Sequence, residues 1–443
     1  MRRLVGLLVF LFPLAASLGP VVRVGPLAIA RVVAVLLMGL AVLAAWRTRR
    51  IPVVAVWILL LWLLWLGWGF ATLRPGGSGA KEILSVMLGL GASAAVVVLA
   101  GERPGQGPGT SRALLRTMTR GWLFAWLVVC LPVLWELATG RHLWNYLEGA
   151  AQWIRDSSVD VASYMVNPNL LAMFLVSAMA MMMVGWRLET GWLRHAMAAA
   201  IVASPVLCWF TNSRLVVLLM PVMLVWFCLQ LDWVGRMRRL WAALALVAVL
   251  GIAFLLAPMP WGAPEPNTGS LAQRAGLYKN GWYMVWHSLG LGVGAGQFET
   301  QLAGGLAPFD IHDGPQNPHS GLFETAGQYG VGIAALALAL LAAVFVMSLP
   351  VLRRRWSDPA LQSMRWALVL FVPLVVPLAF ANSSWLDSSV AFLQVTGIAL
   401  AAHVLATNPS APVPRWQPAR RSGLAPRQRT LTRACRGSQP ATR

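Results

Sequence analysis

The stretch NPHSGLFETAGQYGVG, from Asn317 to Gly332, places a His, a Glu and several amide and hydroxyl groups beside Pro and Gly, directly before the apolar run AALALALLAAVFVMSL. Asn is a good helix N-cap and Pro suits the first helical position, so Asn317 and Pro318 predict a helix with His319 in its first turn. The free N–H groups and positive dipole end of such a helix attract an anion and disfavour protonation of a nearby imidazole. A neutral imidazole can take a proton from a hydroxyl as a general base. Glu324, five residues on, is placed to orient or modulate that His. The same residues also fit a plain interfacial cap on a membrane span.

Other segments offer partners. After Ser270, a candidate N-cap, LAQRAGLYKNGWYMVWHSL has apolar residues at helical spacing. On that helix Arg274 and Tyr278 share a face, while Lys279 diverges from Arg274. TNSRLVVLL puts Arg214 at a turn between two closely linked spans. YMVNPNLLAMFLV puts Asn167, Pro168 and Asn169 at the start of another, as a cap and kink with Asn169 a candidate polar contact. GLGVGAGQF has neither a preceding strand nor a following Gly-Lys-Ser/Thr, so it reads as a tight backbone turn rather than a nucleotide phosphate loop. His287 reads as structural. His312 and Asp313 are adjacent but lack a third ligand at regular spacing, so no metal is expected. Cys130, Cys208, Cys228 and Cys435 show neither disulfide nor metal-ligand spacing.

The elements that must hold these residues are membrane helices. The 443-residue chain is 58% hydrophobic and 11% charged, against about 25% charged in a soluble protein. Apolar blocks of about 20 residues match the bilayer core, whereas a β-barrel would show weak alternation. The fold class is all-α integral membrane, with twelve expected spans near 4–19, 27–46, 51–73, 82–100, 120–139, 165–186, 193–211, 213–231, 239–258, 319–349, 364–382 and 384–407. The 7–8 and 11–12 pairs should be antiparallel hairpins. With the N-terminus inside, 26 of the 35 Lys and Arg fall in cytoplasmic segments, so both termini are expected in the cytoplasm. Residues 1–19 also carry the basic start, apolar core and small residues of a secretory signal; removing them would leave the following spans oriented as before. The net charge of +20 comes largely from this bias and from a polar, Arg-rich tail. That tail reads as disordered and suited to anionic lipid, not nucleic acid. Trp144, Trp153, Trp282 and Trp286 lie on the outer side, where sugar stacking and an interfacial aromatic belt both account for them.

Taken together, NPNLLAMFLV, TNSRLVVLL, LAQRAGLYKNGWYMVWHSLGLGVGAGQFE and NPHSGLFETAGQYGVGIAAL resemble the bacterial O-antigen ligase and polymerase superfamily of membrane glycosyltransferases. The likeness covers about 165–345, with Ser320 where the family usually has Asn. It divides the chain into N-terminal membrane helices at 1–164, a ligase-like region at 165–407 with a long outer loop at 259–318, and the tail at 408–443. The resemblance implies a GT-C-like helical fold in the bacterial cytoplasmic membrane and transfer of a glycan from undecaprenyl pyrophosphate to a hydroxyl of a glycan, lipid or protein acceptor. It implies inversion at the anomeric carbon without metal or other cofactor. Arg214 and Arg274, with Lys279 as a third cation, would steady the departing pyrophosphate. His319 would take the acceptor proton, and Asn317, Tyr278, Glu324 and Asn169 would line the substrate site. A repeat-unit polymerase and a lipid-linked glycan transporter are the alternatives. A transporter should carry charge at mid-membrane and inverted repeats, whereas here the ionisable groups sit at outer span ends.

Overall fold

The computed structural model describes residues 1–19, 21–24, 27–75, 77–101, 109–147, 159–231, 270–305, 308–309, 320–352, 355–379, 386, 389–408 and 412–413. Apolar residues run around whole helices here rather than along one stripe, which is the pattern of helices that meet lipid or other helices on every side. The helices are α1 Arg2–Leu18, α2 Ile29–Thr48, α3 Val53–Ala71, α4 Gly79–Ala100, α5 Thr110–Thr139, α6 Pro168–Gly185, α7 Gly191–Trp209 and α8 Arg214–Cys228. After these come α9 Ser270–His287, α10 Phe298–Ala303, α11 Gly321–Tyr329, α12 Val331–Ser348, α13 Pro359–Ala379 and α14 Ser389–Thr407. Extended backbone among the described residues amounts to two antiparallel ladders of two-residue strands, Arg23–Val24 with Leu27–Ala28 and Arg355–Trp356 with Pro412–Val413.

Nine of the described helices are long and apolar enough to cross a membrane. The expected span at 239–258 lies outside the described residues. Helix α1 packs on α5 and α2 and sends Val9, Phe12 and Ala16 into the main core. That core is continuous from Val5 to Leu405. Helix α6 lies at its centre, with 89% of its span buried, whereas α12 lies at the rim with 11%. Polar side chains join the inner helices: Ser93 lies 2.8 Å from Thr396, and Gln394 donates to Ser177 at 2.6 Å. In lipid such pairs hold helices together, because an unpaired polar group there has no water to turn to.

Two expected boundaries change. Helix α5 starts at Thr110, ten residues before the expected span. Its extension carries Arg112, which pairs with Asp358 at 2.6 Å, and just beyond it Arg120 grips Glu189 through two 2.8 Å bonds. The second change matters more. The span expected at 319–349 is two helices, α11 and α12, broken at Gly330 with φ +91°. GLGVGAGQF supplies the reason. It is a tight turn, as expected, and its backbone lies against the break. Val293 and Gly294 N–H donate to Gly327 O and Gln328 O at 2.8 and 3.0 Å, and Val331 N–H donates to Gly290 O at 2.9 Å. On its other side the loop meets the α3–α4 turn, where Ser78 N–H donates to Gly296 O at 3.2 Å and Gln297 Nε2 reaches Arg74 O at 3.4 Å.

Close approach of two main chains leaves no room for a side chain. A methyl group on Gly296, which has φ +64°, would collide with the backbone nitrogen of Gly79. Gly296→Ala should therefore lower the melting temperature in detergent, with strain and overpacking each costing roughly 1–3 kcal/mol. Gly332 has nothing within 4 Å of the added carbon, so Gly332→Ala should melt like the wild type. Equal melting of the two variants would mean the loop does not pack this tightly.

Candidate functional site

The glycine loop brings α9 and α11 together at one end of the bundle. Tyr278 stacks on Phe323 with ring centroids 5.2 Å apart and planes 19° from parallel. Gly281 and Gly327 make room for Phe298 of α10 between the two helices. Leu277, Met284, Phe298 and Leu302 form a small core beneath α9. Arg274, one turn before Tyr278, is half-buried on the same side of α9. Burial raises the Tyr278 hydroxyl above its ordinary pKa, and the nearby Arg274 charge partly offsets this. Lys279 is exposed, with Nζ 5.8 Å from the centre of the Phe309 ring.

Helix α11 begins at Gly321, capped by Ser320, whose hydroxyl accepts from Phe323 N–H at 3.4 Å. The expected cap, Asn317, with Pro318 and His319 in the first turn, is thereby corrected. The short hydroxyl of Ser320 stands three residues before Phe323 and captures its free N–H, so the helix starts later than the Asn-Pro pair suggested. Asn317 and His319 lie outside the described residues, as do His312 and Asp313. Ser270, expected as the cap of the loop helix, is instead the first residue of α9. Glu324 turns inward: it is buried and accepts the Leu386 N–H at 3.4 Å. At the other end of α11, Tyr329 OH donates to the buried Glu82 of α4 at 3.3 Å, and Ser78 OH donates to the same carboxylate at 2.6 Å. Both ends of this short helix are thus tied to carboxylates.

Below the first turns of α11 lies an apolar cavity of about 210 Å³. Gly321, Leu322 and Thr325 line its top, and Ile58, Val344 and Phe392 lie along it. Trp57 and Leu338, both lining residues, are exposed on the lipid-facing sides of α3 and α12.

Arg214 opens α8 at the four-residue turn that follows α7; its side chain lies outside the described residues. Asn169 is the second residue of α6, behind Pro168. Asn167 caps that helix, accepting from Leu170 N–H at 3.1 Å, as its Asn-Pro sequence predicts.

A second polar cluster sits beside this turn, and sequence reasoning missed it. Glu136, buried in the last turn of α5, accepts Ala162 and Ser163 N–H at 3.1 and 2.9 Å. His142 Nδ1 lies 3.2 Å from the other Glu136 oxygen, and the His ring stacks on Tyr146 at 3.8 Å. Val161 N–H donates to Phe210 O at 3.0 Å, tying this segment to the turn before Arg214. Asp160 hydrogen-bonds Asn212, two residues from Arg214; burial raises its carboxyl above 3.8, opposed by that bond and by His142. The available signal was a Glu closing an apolar span with a His six residues on. Among the described residues no three His, Cys, Asp or Glu side chains come together to hold a metal ion.

The raised Asp160 carboxyl has a stability consequence. The folded state prefers it neutral, so stability is fully present below 3.8 and is lost as pH rises through the higher folded value. Asp160→Asn, which cannot ionise, should melt higher than wild type at neutral pH, with the gap closing on acidification. A gap that does not change with pH would show that this carboxyl is not the titrating group.

Residues 197–337 match the family model described as O-Antigen ligase. The matched segment contains α8 to α11, the glycine loop and the break at Gly330, and so includes both residues of the Tyr278–Phe323 stack. No curated protein sequence matches the chain. With helices long and apolar enough to cross a membrane on either side of it, this segment marks the chain as a multi-pass membrane protein that carries an O-antigen ligase-like domain at residues 197–337.

Proposed function

We propose that the protein transfers a glycan from undecaprenyl pyrophosphate to an acceptor hydroxyl at the outer face of the bacterial cytoplasmic membrane. One observation supports the reading: Tyr278, with Arg274 one turn before it on α9, stacks on Phe323 of α11, whose neighbours Leu322 and Thr325 line an apolar cavity that reaches exposed residues of α3 and α12. A cation beside an apolar path into the bilayer suits a substrate with a phosphate head and a polyprenyl tail. The orientation rests on charge. The end opposite the site holds Arg112, Arg116, Arg120 and Arg187, and basic residues favour the cytoplasm.

In the proposed reaction His319 accepts the proton of the acceptor hydroxyl. The acceptor oxygen attacks the anomeric carbon from the face opposite the pyrophosphate. The new glycosidic bond forms as the carbon–oxygen bond to phosphate breaks, inverting the centre. The leaving pyrophosphate departs with the electron pair, and the forks of Arg214 and Arg274 hold its charge, with Lys279 as a further cation. Arg pairs with phosphate oxygens through two parallel bonds, which a point charge does not do. Asn317, Asn169 and Tyr278 contribute substrate contacts, and Glu324 holds the start of α11. The acceptor is a glycan, lipid or protein.

Transfer is tested with purified protein, the cell's own lipid-linked glycans and EDTA. Wild type should release the lipid pyrophosphate and extend an acceptor. His319→Ala should lose about 10²–10⁴ of the rate, the usual worth of a general base. Arg274→Ala should lose about 10²–10³, the loss usual for one charge-stabilising donor. Full activity in both variants would refute the site. Movement of the lipid across vesicles with its glycan bond intact would refute transfer in favour of transport. Product length then separates a ligase from a repeat-unit polymerase.

A further inference from the structure

Helix α9 is apolar on two sides. One side carries Leu277 and Met284 into the small core shared with α10. The other carries Trp282 and Trp286, which fall within about 40° of one another at 3.6 residues per turn, and is followed by Leu289 in the turn after the helix. These residues are 54%, 68% and 88% exposed, and Leu291 just beyond is 57% exposed. Trp282 and Trp286 meet edge to face at 6.1 Å. Large apolar side chains so displayed are covered by something in the working protein.

Position identifies the cover. Trp68, in the last turn of α3, donates its indole N–H to Leu291 O at 2.9 Å. Val331, the first residue of α12, donates to Gly290 O at 2.9 Å. Leu289 and Leu291 therefore stand level with the end of one membrane-crossing helix and the start of another. The neighbouring faces of those helices expose Phe70, Leu73 and Val331. Leu289 and Leu291, at the end of the Trp stripe, adjoin that exposed apolar surface through these two bonds. Its residue types fit the same place, because Trp favours the boundary between headgroups and hydrocarbon. Lys279, one turn before Trp282 on the same side of α9, is exposed, and its long apolar stem suits the headgroup level.

We infer that α9 lies along the membrane surface with Trp282, Trp286, Leu289 and Leu291 immersed in the phospholipid leaflet at the site end. The bilayer then sets the height of the helix. Arg274 and Tyr278, on the neighbouring face, are carried at headgroup level, where a lipid-borne phosphate would arrive. The immersion itself stands whether or not the protein transfers a glycan.

Site-directed spin labelling in phospholipid nanodiscs tests it. Nitroxides at Trp286→Cys and Leu289→Cys, in full-length protein with the four native cysteines replaced by Ala, should collide several-fold more with oxygen than with a water-soluble nickel chelate. A label at Glu299→Cys, exposed on α10, should show the reverse. Nickel accessibility at 286 and 289 matching 299 would overturn the inference, leaving an aqueous face open to glycan. So would immobilised labels with short inter-label distances, which would put a second copy on the stripe. Should the cysteine-free protein fail to fold, quenching by brominated lipids gives the same answer. Wild type must lose more fluorescence than the Trp282→Phe, Trp286→Phe double variant, and equal losses would overturn immersion.

Discussion

Main-chain hydrogen bonds between the glycine loop and the break at Gly330 are the constraint on which the site end depends. They join three otherwise separate places: the α3–α4 turn at Ser78, the loop itself, and the α11–α12 junction. Each contact puts backbone against backbone: a side chain at Gly296 would strike Gly79, and one at Gly292 would strike Gln328. Near the bilayer an unpaired N–H or C=O is costly, so a broken helix there needs outside partners for its freed groups. The loop supplies them at Gly327, Gln328 and Val331. Without it α11 would continue into α12 as one straight span, and its first turn would point elsewhere.

Buried carboxylates complete the framework. Glu82 receives the Tyr329 hydroxyl and Glu324 receives the Leu386 N–H, so the two ends of α11 are tied to α4 and to the segment between α13 and α14. Glu136 does the same for the segment before α6, collecting two backbone N–H groups and His142. A carboxylate removed from water is tolerated only when its lone pairs are met, and a group so satisfied fixes its donors in turn. Placing these acids at the site end, rather than at mid-membrane, avoids the larger penalty of charge in the hydrocarbon.

The family domain at 197–337 includes the glycine loop and the two helices, α9 and α11, that it brings together. The N-terminal helices contribute to the site through shape. Helix α3 walls the apolar cavity with Trp57 and Ile58, and the turn that follows it receives the glycine loop. Helices α4 and α14 sit deep in the bundle and give this end a rigid base.

Much was legible in the sequence because it follows from composition and local chemistry. Blocks of about twenty apolar residues can be satisfied only as membrane helices. The Asn-Pro pair before α6 capped it as written, and the run of glycines could only be a turn. Arg274 and Tyr278 shared a face because the helix period puts them there. Tertiary structure decided the rest. Nothing local in NPHSGLFETAGQYGVG shows that Ser320 outcompetes Asn317 as the cap. Nor does it show that Gly330 breaks the span, since the carbonyl that receives the freed Val331 N–H belongs to a loop forty residues upstream. The meeting of Glu136, His142 and Asp160, and the stack of Tyr278 on Phe323, likewise join residues distant in the chain. Local propensity determines which helices form, whereas the partners of buried polar groups and close-packed glycines are settled only when distant backbones meet.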